Sequence, residues 1–162
     1  MENRIVKVIF GVIILLLVSI FFLRNFKFYR IDGHSMNPTI YHSNIVIGIR
    51  PKNIERGDII SFKHDNKIAI KRVIGIPNDK INIKEDGTVI VNDEVINEPY
   101  ISKKEINRVE VTFPITLGDD EYFVLGDNRI DSLDSKNFKV GNIKEEDIEA
   151  KIIFCLNSFK KL

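Results

Sequence analysis

A single cysteine, Cys155, stands among the 162 residues of the chain, so an intramolecular disulfide and a cysteine-based metal cluster are both excluded. Excess charge of either sign is also missing. Lys and Arg total 24 against 23 Asp and Glu, a net charge of +1. No global field is available to hold a nucleic-acid backbone, and no basic cluster with interleaved aromatics supplies a local one. The chain has no internal repeat and no low-complexity linker. Hydrophobic residues at 44% with charged residues at 29% exclude a largely disordered or collagen-like chain. At this length there is room for one modest domain and an anchor, and stability rests on burial.

The apolar residues are unevenly spread. Val8 to Leu23 runs sixteen residues with one serine and no charge, and extending it to Ile5 gives nineteen positions. At ~1.5 Å per residue these cover roughly 28 Å, close to a hydrocarbon core of about 30 Å with Lys7 snorkelling to the interface. The segment beyond, Arg24-Asn25-Phe26-Lys27-Phe28-Tyr29, has no small-residue cleavage site of the Ala-x-Ala kind. The run therefore reads as an uncleaved anchor over residues 1–24. Arg4 and Lys7 flank one end and Arg24, Lys27 and Arg30 the other, so charge does not choose its orientation.

Residues 25–162 read as one β-rich domain. β-Branched runs recur between turn signals at Asn44 to Ile49, Asp58 to Lys63, Lys67 to Ile76, Lys80 to Lys84, Thr88 to Asn92 and Glu121 to Leu125. Glu85-Asp86-Gly87 between two alternating segments predicts a hairpin. Ile96 to Pro114 reads as a long excursion, and helical turns are expected near Ser35 to Ile40 and Lys144 to Ile148. The expected architecture is mainly β, an antiparallel barrel or sandwich behind a transmembrane helix.

Three segments carry polar residues that a strand scaffold does not require. Asp32-Gly33-His34-Ser35-Met36-Asn37-Pro38-Thr39 places a serine just after a glycine turn, where its hydroxyl is either a nucleophile or simply part of the turn. In Lys71-Arg72-Val73-Ile74-Gly75, strand alternation puts Lys71 on one face with Ala69 and Val73. On that face it is either a solvated lysine or a base. A base working near pH 7 must fall about three units from ~10.4, at a cost of roughly 4 kcal/mol, so burial is a requirement of that role. Gly126 to Lys136 is crowded with side chains that hydrogen-bond locally, the mark of a rigid loop.

Several alternatives fail on spacing. Asp127, Asp131 and Asp134 lack the acid spacing, glycine and final glutamate of a calcium loop. Ser158-Phe159-Lys160-Lys161 matches a Ser-x-x-Lys pattern, but neither Ser-Asp-Asn nor Lys-Thr-Gly accompanies it. His34, His42 and His64 have no metal-ligand spacing.

Taken together, Gly33 to Thr39, Arg56-Gly57-Asp58, Lys71 to Gly75 and Gly126 to Ser135, behind an N-terminal anchor, resemble the bacterial type I signal peptidases. These are membrane-bound Ser/Lys endopeptidases that remove leader peptides from exported proteins. The compact length resembles the small, Gram-positive-like form. The resemblance implies Ser35 as nucleophile, Lys71 as general base and Ser132 as the residue that orients the lysine amine. It makes the Ser35 N–H one oxyanion donor and puts Gly33 where some relatives have a second donor, a serine hydroxyl. Asp127, Asn128, Arg129, Asp134 and Ser135 match the family's structural loop. Lys136 stands where arginine is usual, so its pair with Asp134 is expected to be looser. Ile130 and Lys139 also depart from the pattern. Met36 and Pro38, with Ile40, are either an apolar face that touches lipid or lines a substrate pocket, or ordinary core packing.

The resemblance further implies preproteins and the lipid bilayer as partners, no nucleic acid, and neither cofactor nor metal. It places the N-terminus in the cytoplasm and the catalytic domain outside. Two other readings fit part of the pattern. One is a self-cleaving Ser/Lys protease, although SOS-type repressors carry a DNA-binding domain where this chain has its apolar run. The other is a catalytically silent, tethered β-domain that binds export substrates, to which the departures at Ile130, Lys136 and Lys139 point.

Overall fold

The computed structural model describes residues 2–104, 110–158 and 160–162. The helix α1 spans Glu2–Asn25, and its stretch Val6–Asn25 has a mean hydropathy of 3.0 with none of it buried against the rest of the chain. Fifteen large apolar side chains between Val6 and Leu23 remain exposed. At ~1.5 kcal/mol or more for each, leaving them in water would cost on the order of 20 kcal/mol, so lipid is the solvent that suits this helix.

Strands follow as β1 (Phe26–Arg30), β2 (Ile45–Ile49), β3 (Ile59–His64), β4 (Lys67–Gly75), β5 (Lys80–Ile83), β6 (Val89–Val91), β7 (Glu94–Val95), β8 (Ile115–Thr116), β9 (Glu121–Leu125), β10 (Ile143–Lys144), β11 (Ile148–Cys155) and β12 (Lys160–Lys161). The larger sheet runs β1-β2-β11-β3-β4-β9-β10, with β12 against β11, and the smaller runs β7-β6-β5-β8. All pairings are antiparallel. Among the described residues no pairing joins β1 to β10, so the larger sheet is open and the closed-barrel form of the expectation is corrected to two sheets.

Strand alternation explains why β4 and β9 are buried on both faces at the centre. Val73, Tyr122 and Val124 enter a cluster with Ile60, Phe62, Ile143 and Ile148. Ile74, Phe123 and Leu125 point the other way, into a cluster that Ile81, Val89 and Val91 of the smaller sheet complete. A third cluster joins Met36 and Ile40 to Val46, Ile59, Ile152 and Cys155. The β5–β6 hairpin lies where Glu85-Asp86-Gly87 predicts it. Gly87 adopts φ +79°, a conformation that side chains strain, and the Asp86 carboxylate accepts the Thr88 N–H at 2.8 Å.

The six sequence-read strands are all present. Two long strands escaped the reading. β1 sits directly behind the apolar helix and passes for its polar flank. β11 begins Ile-Glu-Ala-Lys, which has helical character, and only the tertiary pairing with β2 and β3 makes it a strand. The expected helical turn just before it is a 3-10 turn at Glu145–Asp147. Of the expected excursion, residues 105–109 lie outside the described residues. So does Phe159 of the Ser158 motif, whose neighbours Lys160–Lys161 pair with β11.

Candidate active site

The serine turn is fixed from below. Asn37 N–H donates to the His34 carbonyl at 3.1 Å, and the Thr39 and Ile40 N–H groups both donate to the Met36 carbonyl at 2.9 Å. One helical turn apart, Met36 and Ile40 share a face and sink into the third core cluster. Ser35 is left half-buried at the top of the turn. From the other side, Asn128 N–H donates to the Ser35 carbonyl at 3.0 Å and its side-chain amide to the His34 carbonyl at 3.1 Å.

Gly126 makes that clamp possible. A Cβ at this position would lie 2.2 Å from Ser132 Oγ and 2.5 Å from the Ser35 carbonyl oxygen, inside any tolerable contact. The loop is then tied to β9. Gly126 N–H donates to Asp134 Oδ2 at 2.9 Å, Val124 N–H to Ser135 Oγ at 3.0 Å, and Ser135 N–H returns to the Val124 carbonyl at 3.1 Å.

Lys71 reaches the turn from the centre of β4, where it pairs with Ile60 of β3. Its Nζ stands 2.7 Å from Ser35 Oγ, and the residue is only 6% exposed. Burial is the main cause that brings its pKa down from 10.5 to about 8, and the nearby Lys136 charge adds to the effect. Asp134, Asp127 and Asp131 oppose it without cancelling it. At pH 7 roughly a tenth of such amines are neutral and able to take a proton.

The other expected residues divide. Ser132 Oγ is buried without a hydrogen-bond partner and so makes no hydrogen bond to Lys71. Gly33 adopts φ +103°, and its N–H donates to His42 Nδ1 at 3.1 Å. The buried Lys136 amine contacts Asp134 Oδ1 and Oδ2 at 3.1 and 3.3 Å and donates to the Ser132 carbonyl at 3.2 Å. Ile130 and Lys139 are exposed. Ser35, Lys71 and Met36 line an open cleft of about 730 Å³, with Phe28, Ile68 and Leu133 as its apolar walls. Pro38 is placed elsewhere, in a shallower depression with Thr39, Arg72 and Tyr100.

Sequence reasoning missed the charged frame behind the cleft. Arg72, on the opposite face of β4 from Lys71, forks onto Asp127 at 2.8 and 2.6 Å, and Asp127 is fully buried. Its third arm donates to the Gly57 carbonyl at 2.7 Å, and the guanidinium lies 4.1 Å from the centre of the Tyr100 ring. Arg129 donates to the Gly126 carbonyl at 3.0 Å and pairs through both terminal nitrogens with Glu98. Glu98 also accepts from the Tyr100 hydroxyl at 3.0 Å. Alternation along β4 was the signal that turned Arg72 away from the cleft. No local pattern pointed to Glu98 or Tyr100, whose partners are about thirty residues away. Arg56, from the Arg-Gly-Asp segment, pairs with Asp79 at 2.9 Å.

A hydroxyl in contact with a desolvated amine, at the floor of an open cleft, is an arrangement suited to a hydrolase that works through a nucleophile. A family model described as "Signal peptidase, peptidase S26" matches residues 3–157. Signal peptidase I of Bacillus amyloliquefaciens is 36% identical over 138 residues, covering 77% of this chain and 74% of that protein. Signal peptidase I U of Bacillus subtilis (strain 168) is 35% identical over 163 residues, 91% of this chain and 86% of the relative. Among solved structures, a signal peptidase I from Enterococcus faecalis V583 superposes with a TM-score of 0.52 at 32% identity, covering 62% of this chain and 97% of that one. The chain belongs to the signal peptidase family, peptidase S26.

Proposed function

We infer that this peptidase removes N-terminal signal peptides from exported preproteins, with Ser35 as nucleophile and Lys71 as general base. The observation that carries the assignment is the 2.7 Å contact between a hydroxyl and an amine whose burial lowers its proton affinity. Neutral Lys71 takes the Ser35 proton as Oγ attacks the scissile carbonyl. The resulting ammonium then protonates the leaving amine, which departs from the acyl-enzyme. Neutral again, Lys71 deprotonates the water that hydrolyses the ester, and Ser35 recovers its proton.

Ser35 N–H has no acceptor among the described residues and is available to the developing oxyanion. Gly33 N–H is engaged by His42 and is not free for the same task. Ser132, within the loop that clamps the turn, is assigned to hold the lysine amine during turnover, when its unpartnered hydroxyl gains an acceptor or donor. The open cleft with apolar walls supports an extended peptide as substrate. The α1 helix anchors the chain in the bilayer as a single pass, with the N-terminus cytoplasmic and the β domain extracytoplasmic.

Incubating the full chain in detergent micelles with a preprotein, and following the mature product by gel mobility and mass spectrometry, tests the reading. Cleavage is expected from the wild type and not from Ser35→Ala or Lys71→Ala. Wild-type cleavage by both variants overturns the dyad. Stable preprotein binding without turnover by the wild type overturns the enzymatic assignment.

A further inference from the structure

A second recess, of about 680 Å³, lies on the domain between the end of α1 and the loop that follows β2. Arg24, Lys27, Arg50 and Lys52 line it, together with Glu145 and Glu149. Glu149 is already satisfied: it pairs with Lys27 and takes Lys63 at 3.0 Å. Among the described residues none of Arg24, Arg50 and Lys52 meets a carboxylate at ion-pair distance. Three unpaired cations against the single carboxylate of Glu145 leave a surplus of two positive charges in one concavity.

The register fixes the height of this recess. β1 begins at the residue after α1 ends, and Phe26 pairs with Ile49, so Arg50 stands level with Asn25, the last residue of the helix. The apolar run ends at Leu23. Each interfacial layer of a bilayer is roughly 5–8 Å thick. With a rise of ~1.5 Å per helical and ~3.3 Å per strand residue, Arg24 to Lys27 span that layer and reach just beyond it. The uncompensated cations therefore face the depth at which lipid phosphates lie, and two of them are arginines, whose planar fork matches a phosphate.

We propose that this recess binds the phosphate of an anionic phospholipid headgroup, with Arg24, Arg50 and Lys52 as its ligands. The site is separate from the cleft that holds Ser35: of the residues lining the two, none is shared. Occupancy would screen cations that otherwise repel one another at the base of the domain and would tie the β2–β3 loop to the bilayer.

The test uses the full chain in nanodiscs of phosphatidylcholine with about a fifth phosphatidylglycerol, followed by native mass spectrometry of the lipids retained on release. Phosphatidylglycerol is expected to be retained over phosphatidylcholine. Arg50→Gln with Lys52→Gln is expected to lower that retention at least fivefold, since each such cation contributes about that factor. Lys84→Gln with Lys139→Gln, two exposed lysines elsewhere, is expected to leave it unchanged. Equal retention of both lipids, undiminished retention by the Arg50/Lys52 variant, or an equal loss in the control variant overturns the proposal. Displacement of the lipid by inorganic phosphate at about 10 mM replaces the headgroup with a free anion and overturns it too. Ser35→Ala should retain the lipid as wild type does, so the outcome is independent of the catalytic assignment.

Discussion

Lys71 and Arg72 are consecutive residues of β4 that serve opposite faces: the Lys71 amine meets Ser35 Oγ at 2.7 Å, while the Arg72 guanidinium forks onto Asp127. One strand thus delivers a buried amine to the cleft and a clamp to the loop that grips the serine turn. The two groups are coupled through the shared backbone and through the Asp127 charge, which Arg72 holds and which raises the Lys71 pKa, and several consequences can be measured.

Activity should climb with pH through the range set by the Lys71 amine. The proposed base works only when neutral, and its pKa is lowered to about 8. Below that value kcat/KM is expected to fall about tenfold per pH unit, levelling above it. A rate that is flat from pH 6 to 9 refutes the base assignment.

The same amine costs stability. With its folded pKa below the unfolded 10.5, the unfolded chain binds the extra proton between about pH 8 and 10.5, so stability contributed by this site rises across that window and is lowest beneath it. Lys71→Met should therefore raise the stability of the domain at pH 7 by about 2 kcal/mol while abolishing cleavage. Urea unfolding of both proteins in the same detergent measures it, and a less stable Met variant contradicts the prediction.

Asp127→Asn would leave the Arg72 guanidinium buried without its counter-charge. Loss of about 3–5 kcal/mol is expected. Arg72→Lys should not restore wild-type stability, because an ammonium cannot reproduce the two parallel hydrogen bonds together with the stacking on Tyr100. Thermal melts of the three proteins decide the matter.

Gly126→Ala places a methyl against Ser132 Oγ and the Ser35 carbonyl. We expect a loss of about 1–3 kcal/mol and at least a hundredfold drop in kcat. Adding Ser132→Gly removes one of the two clashes. The double variant should regain part of the stability without regaining the rate, because the clash with the Ser35 backbone persists.

Ser132→Ala separates two roles. In the resting structure the hydroxyl is buried and unpartnered, so its removal should leave stability unchanged or raise it by up to about 1 kcal/mol. A role in holding the lysine amine during turnover requires kcat to fall with KM little changed. Unaltered kcat removes Ser132 from the mechanism.

Much of the fold was legible because it follows from local pattern. The alternating runs became β2 to β6 and β9, and the Glu85-Asp86-Gly87 turn became the hairpin. Long-range chemistry left fainter traces. Ser35 and Lys71 were singled out by motif, but only the sheet register and the loop from Gly126 to Asn128 bring them into contact. Arg129 was read as part of a structural loop without its partner, since an ion pair to Glu98 across about thirty residues leaves no periodic signal. Pro38, adjacent in sequence to the serine turn, faces a different depression because the turn reverses direction between Met36 and Ile40.

α1 passes into β1 with no residue between them. A slack tether would let the domain sample many heights and tilts above the lipid, and a cut site could wander with it. Here the junction has the reach of a single peptide unit, and the third to fifth residues of the strand, Phe28, Tyr29 and Arg30, already line the cleft, so its wall opens within a few residues of the apolar helix.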